Sequence, residues 1–297
     1  MSAVLNAASA AAIACALSAA GAAPAWAQMG GMDASGRLLL TGGVSQVEGA
    51  AGGGLTPWAL IGGYGTRDQV GGSAYYTRVE TDDFALDSFG ALVAFNNRFE
   101  VSVSQQQFNL QDVGVALGLG PDFKIDVTTY GAKVRLFGDT ILEQDSWIPQ
   151  VSVGVQYKDN QDDALVESLG AADADGTDFY ISATKLYLAQ SLLLNGAVRF
   201  TKANQFGILG HGSAGNDDYE AQFEGSVAYL LNRKLAIGAE IRTKPDNLAG
   251  LKEEAAYDAF IAWAPTKNVS LTLAYADLGN IVVGEQRGVY ASIQAGF

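Results

Sequence analysis

The sequence predicts an all-β fold, a transmembrane antiparallel up-and-down β-barrel of about 14 strands. Three observations lead to this prediction. Stretches of about ten residues alternate apolar and polar side chains, short and long connections alternate between these stretches, and the chain ends on an aromatic residue, Phe297. Strands of about ten residues match a tilted membrane crossing, whereas strands in soluble sandwiches average five or six. The apolar face would then contact lipid and the polar face would line the lumen.

The composition excludes several classes of function. The 297 residues include 32 Asp and Glu against 18 Lys and Arg, a net charge of −14, so we expect no nucleic-acid partner. The single Cys and single His argue against a disulfide framework, a metal site or a cofactor. We also expect no enzymatic activity, because most nucleophilic and acid–base chemistry relies on well-placed histidines.

The first 27 residues form a separate segment. Residues 1–27 contain no charged side chain and end in Ala25-Trp26-Ala27, the A-x-A pattern of a processing site. We therefore predict a signal peptide over residues 1–27 and a barrel over residues 28–297. Export in this way leads to the bacterial outer membrane.

The strands are predicted from a period-two pattern, as in Val269–Tyr275, where bulky apolar residues alternate with small or polar ones. The predicted strands are 37–47, 56–66, 72–80, 85–95, 98–108, 123–137, 148–157, 178–188, 192–203, 218–230, 234–244, 254–264, 268–277 and 288–297. Glycines make the first three the least regular. Twelve strands preceded by an N-terminal plug segment is the alternative.

Aromatic residues next to the short turns predict a girdle at the membrane–water boundary. Its predicted members are Phe95, Phe99, Trp147, Tyr187, Tyr229, Trp263 and Phe297. The last strand alternates apolar and polar residues and ends in Phe297, as do segments that the barrel-assembly machinery recognises. The expected partners are therefore outer-membrane lipid and that machinery, for a chain that we expect to be a monomer.

Charged residues on the polar faces of the strands predict the lining of a pore. Arg199, Glu224, Glu240 and Asp258 fall near mid-height, and Lys133, Arg135, Arg78 and Glu100 lie nearer the strand ends. A three-residue loop around Asn232 would place Glu224 opposite Glu240. Because carboxylates dominate this belt, we predict a passive channel for small solutes or ions with a weak preference for cations.

Other interpretations of these residues remain open. The inward charges could instead form interlocked ion pairs that fill a narrow lumen, as in a structural or complex-forming barrel that anchors a partner. The segment Val113–Leu119 could be an apolar partner surface or a constriction loop. A barrel hydrolase using His211 and Ser213 is a distant third, since the two lie too close in sequence for a productive pair. The acidic loop 158–177 is interpreted as a solvated surface.

The segment Thr41-Gly-Gly-Val-Ser-Gln-Val-Glu-Gly-Ala-Ala-Gly-Gly-Gly-Leu-Thr-Pro-Trp-Ala-Leu-Ile-Gly-Gly-Tyr-Gly65 resembles the characteristic segment of a proteobacterial outer-membrane β-barrel family of unknown function. The length and the terminal Phe297 fit the same resemblance. It implies a barrel fold and brings no activity, cofactor or site residue with it.

Overall fold

The computed structural model describes residues 42–141 and 143–297, so the predicted signal peptide lies outside the described residues. Twelve antiparallel strands form a closed barrel in which each strand pairs with the next and the last pairs with the first. The barrel strands are β3 (Val70–Thr81), β4 (Ala85–Phe95), β5 (Phe99–Asn109), β6 (Lys124–Phe137), β7 (Gln150–Asn160), β8 (Gly176–Tyr187), β9 (Leu192–Thr201), β10 (Glu220–Asn232), β11 (Leu235–Arg242), β12 (Ala256–Trp263), β13 (Val269–Ile281) and β14 (Gly284–Gly296).

Alternation of side chains explains why these segments form barrel strands. On β5, Phe99, Val101 and Val103 are exposed on the outer face, while Glu100 and Ser104 are buried on the inner face. Asn96 and Asn97 have φ values of 55° and 49°, the left-handed conformation that a tight hairpin between β4 and β5 needs. The predicted all-β closed barrel is confirmed.

The count of 14 strands is wrong, and the alternative of 12 strands with an N-terminal plug is correct. The predicted strand 56–66 lies inside the barrel, as does the described part of 37–47. Residues 42–65, which we call the plug, contain a two-residue strand β1 (Val44–Ser45) paired with β2 (Ala51–Gly52). Nearly every plug residue is buried, so neither face could meet lipid. The physical reason is that the barrel wall surrounds the segment on all sides.

The connections differ between the two ends of the barrel. At the short-turn end, turns follow β4, β8, β10 and β12, and a longer loop of residues 138–149 follows β6. At the long-loop end lie loops 110–123, 161–175, 202–219 and 243–255, which include the short helices α1 (Gln111–Ala116) and α2 (Asp163–Ser168). The predicted strands 268–277 and 288–297 leave residues 278–287 as a long loop, and this is wrong, because β13 extends to Ile281 and β14 begins at Gly284. None of the helices in the described residues is long and apolar enough to cross a membrane.

Most of the outer face is apolar. Large side chains such as Ile237, Ile261, Leu273 and Tyr275 are 41–59% exposed on neighbouring strands. Exposed apolar residues on such contiguous strands are typical of a surface that contacts lipid. The interior is mixed, with an apolar cluster near the long-loop end that includes Phe84, Phe108 and Leu209.

Candidate functional site: a charged lumen occupied by the plug

Glu48 is the centre of a charge cluster between the plug and the wall. Arg242 Nη1 donates to Glu48 Oε2 at 2.7 Å, and Lys158 Nζ lies 2.5 Å from Glu48 Oε1. Arg199 Nη2 lies 3.8 Å from Glu48 Oε2. All of these side chains are at most 2% exposed. The plug therefore contributes the carboxylate that the cationic wall residues share.

Two wall carboxylates complete the charge balance of this cluster. Asp178 Oδ2 lies 2.8 Å from Lys158 Nζ and 3.2 Å from Arg199 Nη1. Glu224 Oε1 accepts from Arg199 Nε at 2.5 Å and lies 3.4 Å from Arg242 Nε. With Glu48 included, three carboxylates face three cations, so the cluster is neutral. Buried charges need this kind of pairing, because removing either partner leaves an uncompensated charge.

Glu100 on β5 and Lys133 on the neighbouring strand β6 hold the backbone of the plug. Their side chains form an ion pair at 3.1 Å, and both are at most 2% exposed. Glu100 accepts hydrogen bonds from the amides of Ala51 and Gly62 at 3.0 and 2.8 Å. Lys133 donates to carbonyls of the plug, namely those of Ala51, Trp58 and Leu60. Side chains that would line an open pore thus satisfy plug backbone groups.

A third contact joins the plug to β10 and β11. Glu240 accepts from the Leu55 amide at 2.8 Å and from the Thr56 hydroxyl at 2.6 Å. Ser226 Oγ lies 2.5 Å from Thr56 Oγ1 and accepts from Trp58 Nε1 at 2.9 Å. The plug is therefore fixed by side chains on β5, β6, β7, β9, β10 and β11.

Loops cover both ends of the plugged lumen. At the long-loop end, Phe206 stacks on Arg242, with 4.1 Å from the guanidinium carbon to the ring centroid, and its carbonyl accepts from Lys158 Nζ at 2.7 Å. At the short-turn end, loop 138–149 contributes Ile141, which packs against the apolar cluster that contains Trp58 and Leu60 of the plug.

Burial shifts the pKa values of two residues in loop 243–255, which we call the long-loop cover. Burial raises the pKa of Glu253 to about 7, against the opposing effect of Lys244, whose Nζ lies 3.9 Å from Glu253 Oε2. Burial also lowers the pKa of Lys244 to about 8. Gln205 links Glu253 to Lys244, because its backbone amide donates to Glu253 and its side-chain oxygen accepts from Lys244 Nζ.

The sequence-predicted lumen residues occupy different positions in the structure. Arg199, Glu224, Glu240, Lys133 and Glu100 face inward, where they contact the plug or one another. Asp258 faces inward as well, on β12, and is 7% exposed. Arg135 lies near the short-turn end, with Nη1 3.5 Å from Asp139 Oδ2.

The structure places Arg78 on the outer face of β3, contrary to its prediction as a lumen residue. It pairs there with Asp87 of β4 at 2.7 Å and with Glu80 at 2.6 Å. Its sequence neighbours Thr77 and Val79 are the residues that face inward. The reason is that apolar side chains fill this part of the lumen, so β3 places residues such as Val79 inward and its charged residues outward.

The expected facing of Glu224 and Glu240 across one hairpin is also wrong. The turn of that hairpin consists of Arg233 and Lys234. The register consequently places Glu224 opposite Arg242, and Glu240 opposite Ser226 on one side and Asp258 on the other. Glu224 therefore forms ion pairs with Arg199 and Arg242, and Glu240 accepts hydrogen bonds from the plug.

The predicted girdle residues are all exposed. Trp147 is 82% exposed in loop 138–149, and the other members are 37–48% exposed. These other members are Phe95, Phe99, Tyr187, Tyr229, Trp263 and Phe297. Each lies at or next to a turn of the short-turn end, or at the chain end beside it. A ring of exposed aromatics at one end is the arrangement that a membrane–water boundary favours.

No hydrogen bond joins His211 to Ser213 in the described residues. His211 Nδ1 lies 3.2 Å from the Ala174 carbonyl, and burial lowers its pKa. Ser213 Oγ accepts instead from the amides of Gly215 and Asn216. Within residues 42–141 and 143–297, no group of three or more acidic, His or Cys side chains could hold a metal ion.

The segment Val113–Leu119 does not fold into the lumen. It forms α1 and the turn after it, with Val115 and Leu117 53% and 49% exposed. Of the two interpretations left open for this segment, the constriction loop is wrong.

Sequence reasoning missed the most central residue, Glu48, and its partners Lys158 and Asp178. Lys158 and Asp178 lie at strand ends beside the segment 158–177, which the sequence predicts to be an acidic surface loop. One signal was available for Glu48, since it is the single charged residue between Gly42 and Gly65. A lone carboxylate in an apolar, glycine-rich segment needs buried cations nearby.

The fold and the lumen define the molecule as a closed twelve-stranded antiparallel barrel with an internal plug. The chain belongs to a protein family of unknown function, DUF3034, whose match covers residues 41–294. No curated protein sequence matches the chain.

Solved structures of outer-membrane barrels are similar in fold. The KdgM porin is 12% identical, with a TM-score of 0.50 over 76% of this chain and 99% of the porin. The COG4313 outer membrane channel from Pseudomonas putida F1 is 13% identical, with a TM-score of 0.46 over 77% of this chain and 95% of that channel. Outer membrane phospholipase A from Escherichia coli is 11% identical, with a TM-score of 0.43 over 79% of this chain and 94% of that enzyme.

Proposed function

We propose that this protein is an outer-membrane, porin-like channel for small solutes or ions, and that the plug closes its lumen in the state described. Residues 1–27 would direct export, and the strand ending in Phe297 would be read by the barrel-assembly machinery. The apolar outer face supports insertion into lipid, and we expect the chain to be a monomer. The likeness to the KdgM porin supports the barrel architecture.

The charge of the inner wall carries the proposal. Nine buried charged side chains face inward, and the four cations and five carboxylates are Lys133, Lys158, Arg199, Arg242, Glu100, Asp178, Glu224, Glu240 and Asp258. Hydrogen bonds and ion pairs hold the plug against them. If the plug moves out, these groups line a water-filled lumen with a net charge of −1, so the preference for cations is weak.

A filled, structural barrel is the second candidate. The neutral cluster around Glu48 favours it, because paired charges with almost no exposure stiffen a lumen and oppose opening. Such a barrel would anchor a partner at the outer membrane and conduct little. The two candidates differ in whether the plug leaves the lumen.

Single-channel recording tests this difference when the plug can be locked. Thr56→Cys with Ser226→Cys joins plug and wall where the two hydroxyl oxygens lie 2.5 Å apart. The one natural cysteine, Cys15, precedes the predicted cleavage site. We expect wild type and Glu48→Gln to conduct, the oxidised double-cysteine variant to be silent, and reductant to restore conductance.

Each outcome decides between the candidates. Silence of the wild type, of Glu48→Gln and of the reduced double-cysteine variant would contradict the channel and leave the structural barrel. For ion preference, Glu240→Gln with Asp258→Asn should move the reversal potential in a salt gradient toward anions. An unchanged reversal potential would contradict the cation preference alone.

A further inference from the structure

Two adjoining grooves lie on the outer face of the barrel, across the neighbouring strands β10 to β14 and β3. The first groove has a volume of about 700 Å³ and extends from Tyr229 on β10 to Tyr275 on β13. The second groove has a volume of about 890 Å³ and continues across β13 and β14 to Tyr76 on β3. Ile261 and Leu273 line both grooves, which are therefore neighbours. Volumes of this order are typical of sites that bind small molecules.

Small side chains form the floor of each groove. Ala239 and Ala259 line the first groove and lie directly opposite one another on β11 and β12. Ala291 of β14 lines the second groove, and Leu273 of β13 lies directly opposite it. Because Leu273 is 55% exposed, it projects beside this floor. The outer face therefore has depressions here that fit elongated apolar groups.

Positive charge is concentrated at the short-turn end of the grooves. Arg233 and Lys234 form the exposed turn between β10 and β11, and Lys234 lines the second groove. Lys234 Nζ donates to the Pro265 carbonyl at 3.2 Å, which brings the turn that carries Lys267 alongside. Neither turn contains an acidic residue. At the other end of the second groove, two carboxylates balance the charge of Arg78.

A phospholipid matches these features, because it carries two apolar chains and one phosphate. Apolar grooves favour acyl chains, and cations near a membrane surface attract anionic headgroups. We propose that the two grooves bind one anionic phospholipid, with an acyl chain on each side of Ile261 and Leu273 and the phosphate at Arg233 and Lys234. Trp263, which lines the second groove next to the same turn, then lies at the level of the headgroup. This inference rests on the insertion into lipid proposed above and is independent of conduction.

Quenching of Trp263 fluorescence by lipids brominated on their acyl chains measures which lipid occupies the grooves. Trp147→Phe removes the other exposed tryptophan, and the buried Trp58 gives a constant background. Brominated phosphatidylglycerol is a minor component of phosphatidylcholine vesicles, and in a second set the bromine is on the phosphatidylcholine instead. We expect phosphatidylglycerol to occupy the grooves about tenfold more strongly than phosphatidylcholine, because two cations face its phosphate.

Two pairs of substitutions test the headgroup contact. Arg233→Gln with Lys234→Gln should make the occupancy of the two lipids equal. Arg67→Gln with Arg98→Gln is the matched control, since it removes two exposed cations from the same end of the barrel, away from the grooves. This control should keep the preference for phosphatidylglycerol.

Two alanines of the outer face test the groove itself. Ala291→Phe fills the second groove and should remove most of the preference for phosphatidylglycerol. Ala132→Phe, on the outer face of β6 and outside both grooves, should leave the preference unchanged. Heat-modifiable migration on gels verifies that each variant is folded.

Several outcomes would overturn the proposal. Equal occupancy by the two lipids in the protein with native Arg233 and Lys234 is one, and an equal loss of preference in both pairs of charge variants is another. Quenching that disappears as the protein-to-lipid ratio rises would also overturn it, because a second copy of the chain would then cover the grooves. Failure of insertion is seen separately, as absence of quenching in vesicles made entirely of brominated phosphatidylcholine. That result would overturn the proposed function together with this site.

Discussion

Arg242 holds Glu48 through two hydrogen bonds, from Nη1 to Oε2 at 2.7 Å and from Nη2 to Oε1 at 3.1 Å, although the residues are 194 positions apart in the chain. A bidentate contact of this kind fixes the orientation of the carboxylate as well as its position. It makes Glu48 the point at which the plug is coupled to the charge of the wall.

Neutralising Glu48 should release the plug. In Glu48→Gln, the three buried cations Lys158, Arg199 and Arg242 face only two carboxylates, and breaking a buried pair costs about 3–5 kcal/mol. We expect Ala59→Cys, at a plug position with 0% exposure, to react with a soluble maleimide much faster in the Glu48→Gln background.

The matched control for that variant is Glu80→Gln, which removes a carboxylate whose side chain is 55% exposed on the outer face. It should leave the labelling rate unchanged, because exposed ion pairs contribute about 0–1 kcal/mol. Equal labelling in all three backgrounds would show that Glu48 does not hold the plug.

The two faces of the barrel should tolerate arginine differently. Leu273→Arg places a charge on the outer face, where Leu273 is 55% exposed, and should lower the free energy of unfolding in lipid vesicles by about 2–4 kcal/mol. Val198→Arg should behave similarly. Leu273→Ala serves as the control for loss of the side chain alone. A cost for Leu273→Arg no larger than for Leu273→Ala would mean that this face does not meet lipid.

Ser226→Arg should act on the plug rather than on the wall. From the sequence, Ser226 is a lumen position at which arginine costs little. In the structure its hydroxyl contacts Thr56, Trp58 and Glu240, so an arginine there displaces the plug. We expect fast labelling at Ala59→Cys with only a small change in urea unfolding; slow labelling would contradict this.

The ring and the backbone of Phe297 should have separate roles, the ring in assembly of the barrel and the backbone in holding the plug. Its carbonyl accepts from the amides of Tyr64 and Gly72 at 2.9 and 3.0 Å, and its amide donates to the Gly72 carbonyl at 2.9 Å. Phe297→Asp keeps these backbone bonds but removes the ring, so outer-membrane levels should fall while the assembled fraction stays closed. Deleting Phe297 removes both, and should also loosen the Tyr64 end of the plug in hydrogen exchange. Normal membrane levels of Phe297→Asp would count against recognition of the terminal aromatic.

The long-loop cover should weaken near neutral pH. The pKa of Glu253 is raised from 4.5 to about 7, so its contribution to stability is present below pH 4.5 and is lost as the pH rises through 7. The pKa of Lys244 is lowered from 10.5 to about 8, so its contribution is present above 10.5 and is lost as the pH falls through 8. Arg242, Asp246, Glu254 and Asp277 also act on this pair. Segment 243–255 should therefore be least protected between pH 7 and 8.

Glu253→Gln isolates the carboxyl contribution, because glutamine resembles the protonated side chain. Hydrogen exchange of segment 243–255 in wild type and variant, compared at the same pH, should be equal near pH 4.5 and slower in the variant near pH 7.5. Slower exchange of the wild type at pH 7.5 would mean that the ionised pair stabilises the cover.

The barrel strands could be predicted from the sequence because an apolar outer face and a polar inner face impose a period of two. The same pattern does not say which row faces outward, and Arg78 shows this. Its charge predicts an inward position, whereas Val79 and Tyr75 are the residues of β3 that fill the apolar part of the lumen. The register across the hairpin at Asn232 likewise depends on the turn length, which residue types alone left undecided.

The plug could not be predicted in detail because no periodicity governs it. Its apolar residues, including Leu60 and Ile61, suit a strand, while its glycines suit a turn. Only the wall decides between them, through contacts such as that of Lys133 with the carbonyls of Ala51 and Leu60, on a strand far along the chain.

The main-chain oxygen of Phe297 accepts a hydrogen bond from the amide of Tyr64 at the end of the plug, which bears on the order of assembly. The plug precedes every barrel strand in the chain, yet its hydrogen-bond partners are spread from Tyr75 on β3 to Gln294 on β14, and Tyr64 at its end bonds to Phe297. Contacts so distant in sequence carry a large loop-closure entropy and form late. Until β14 meets β3, Glu48 and its cations must stay hydrated, so a half-built barrel keeps water where the finished one excludes it. Closure of the cylinder and drying of its interior are therefore expected to be a single cooperative event.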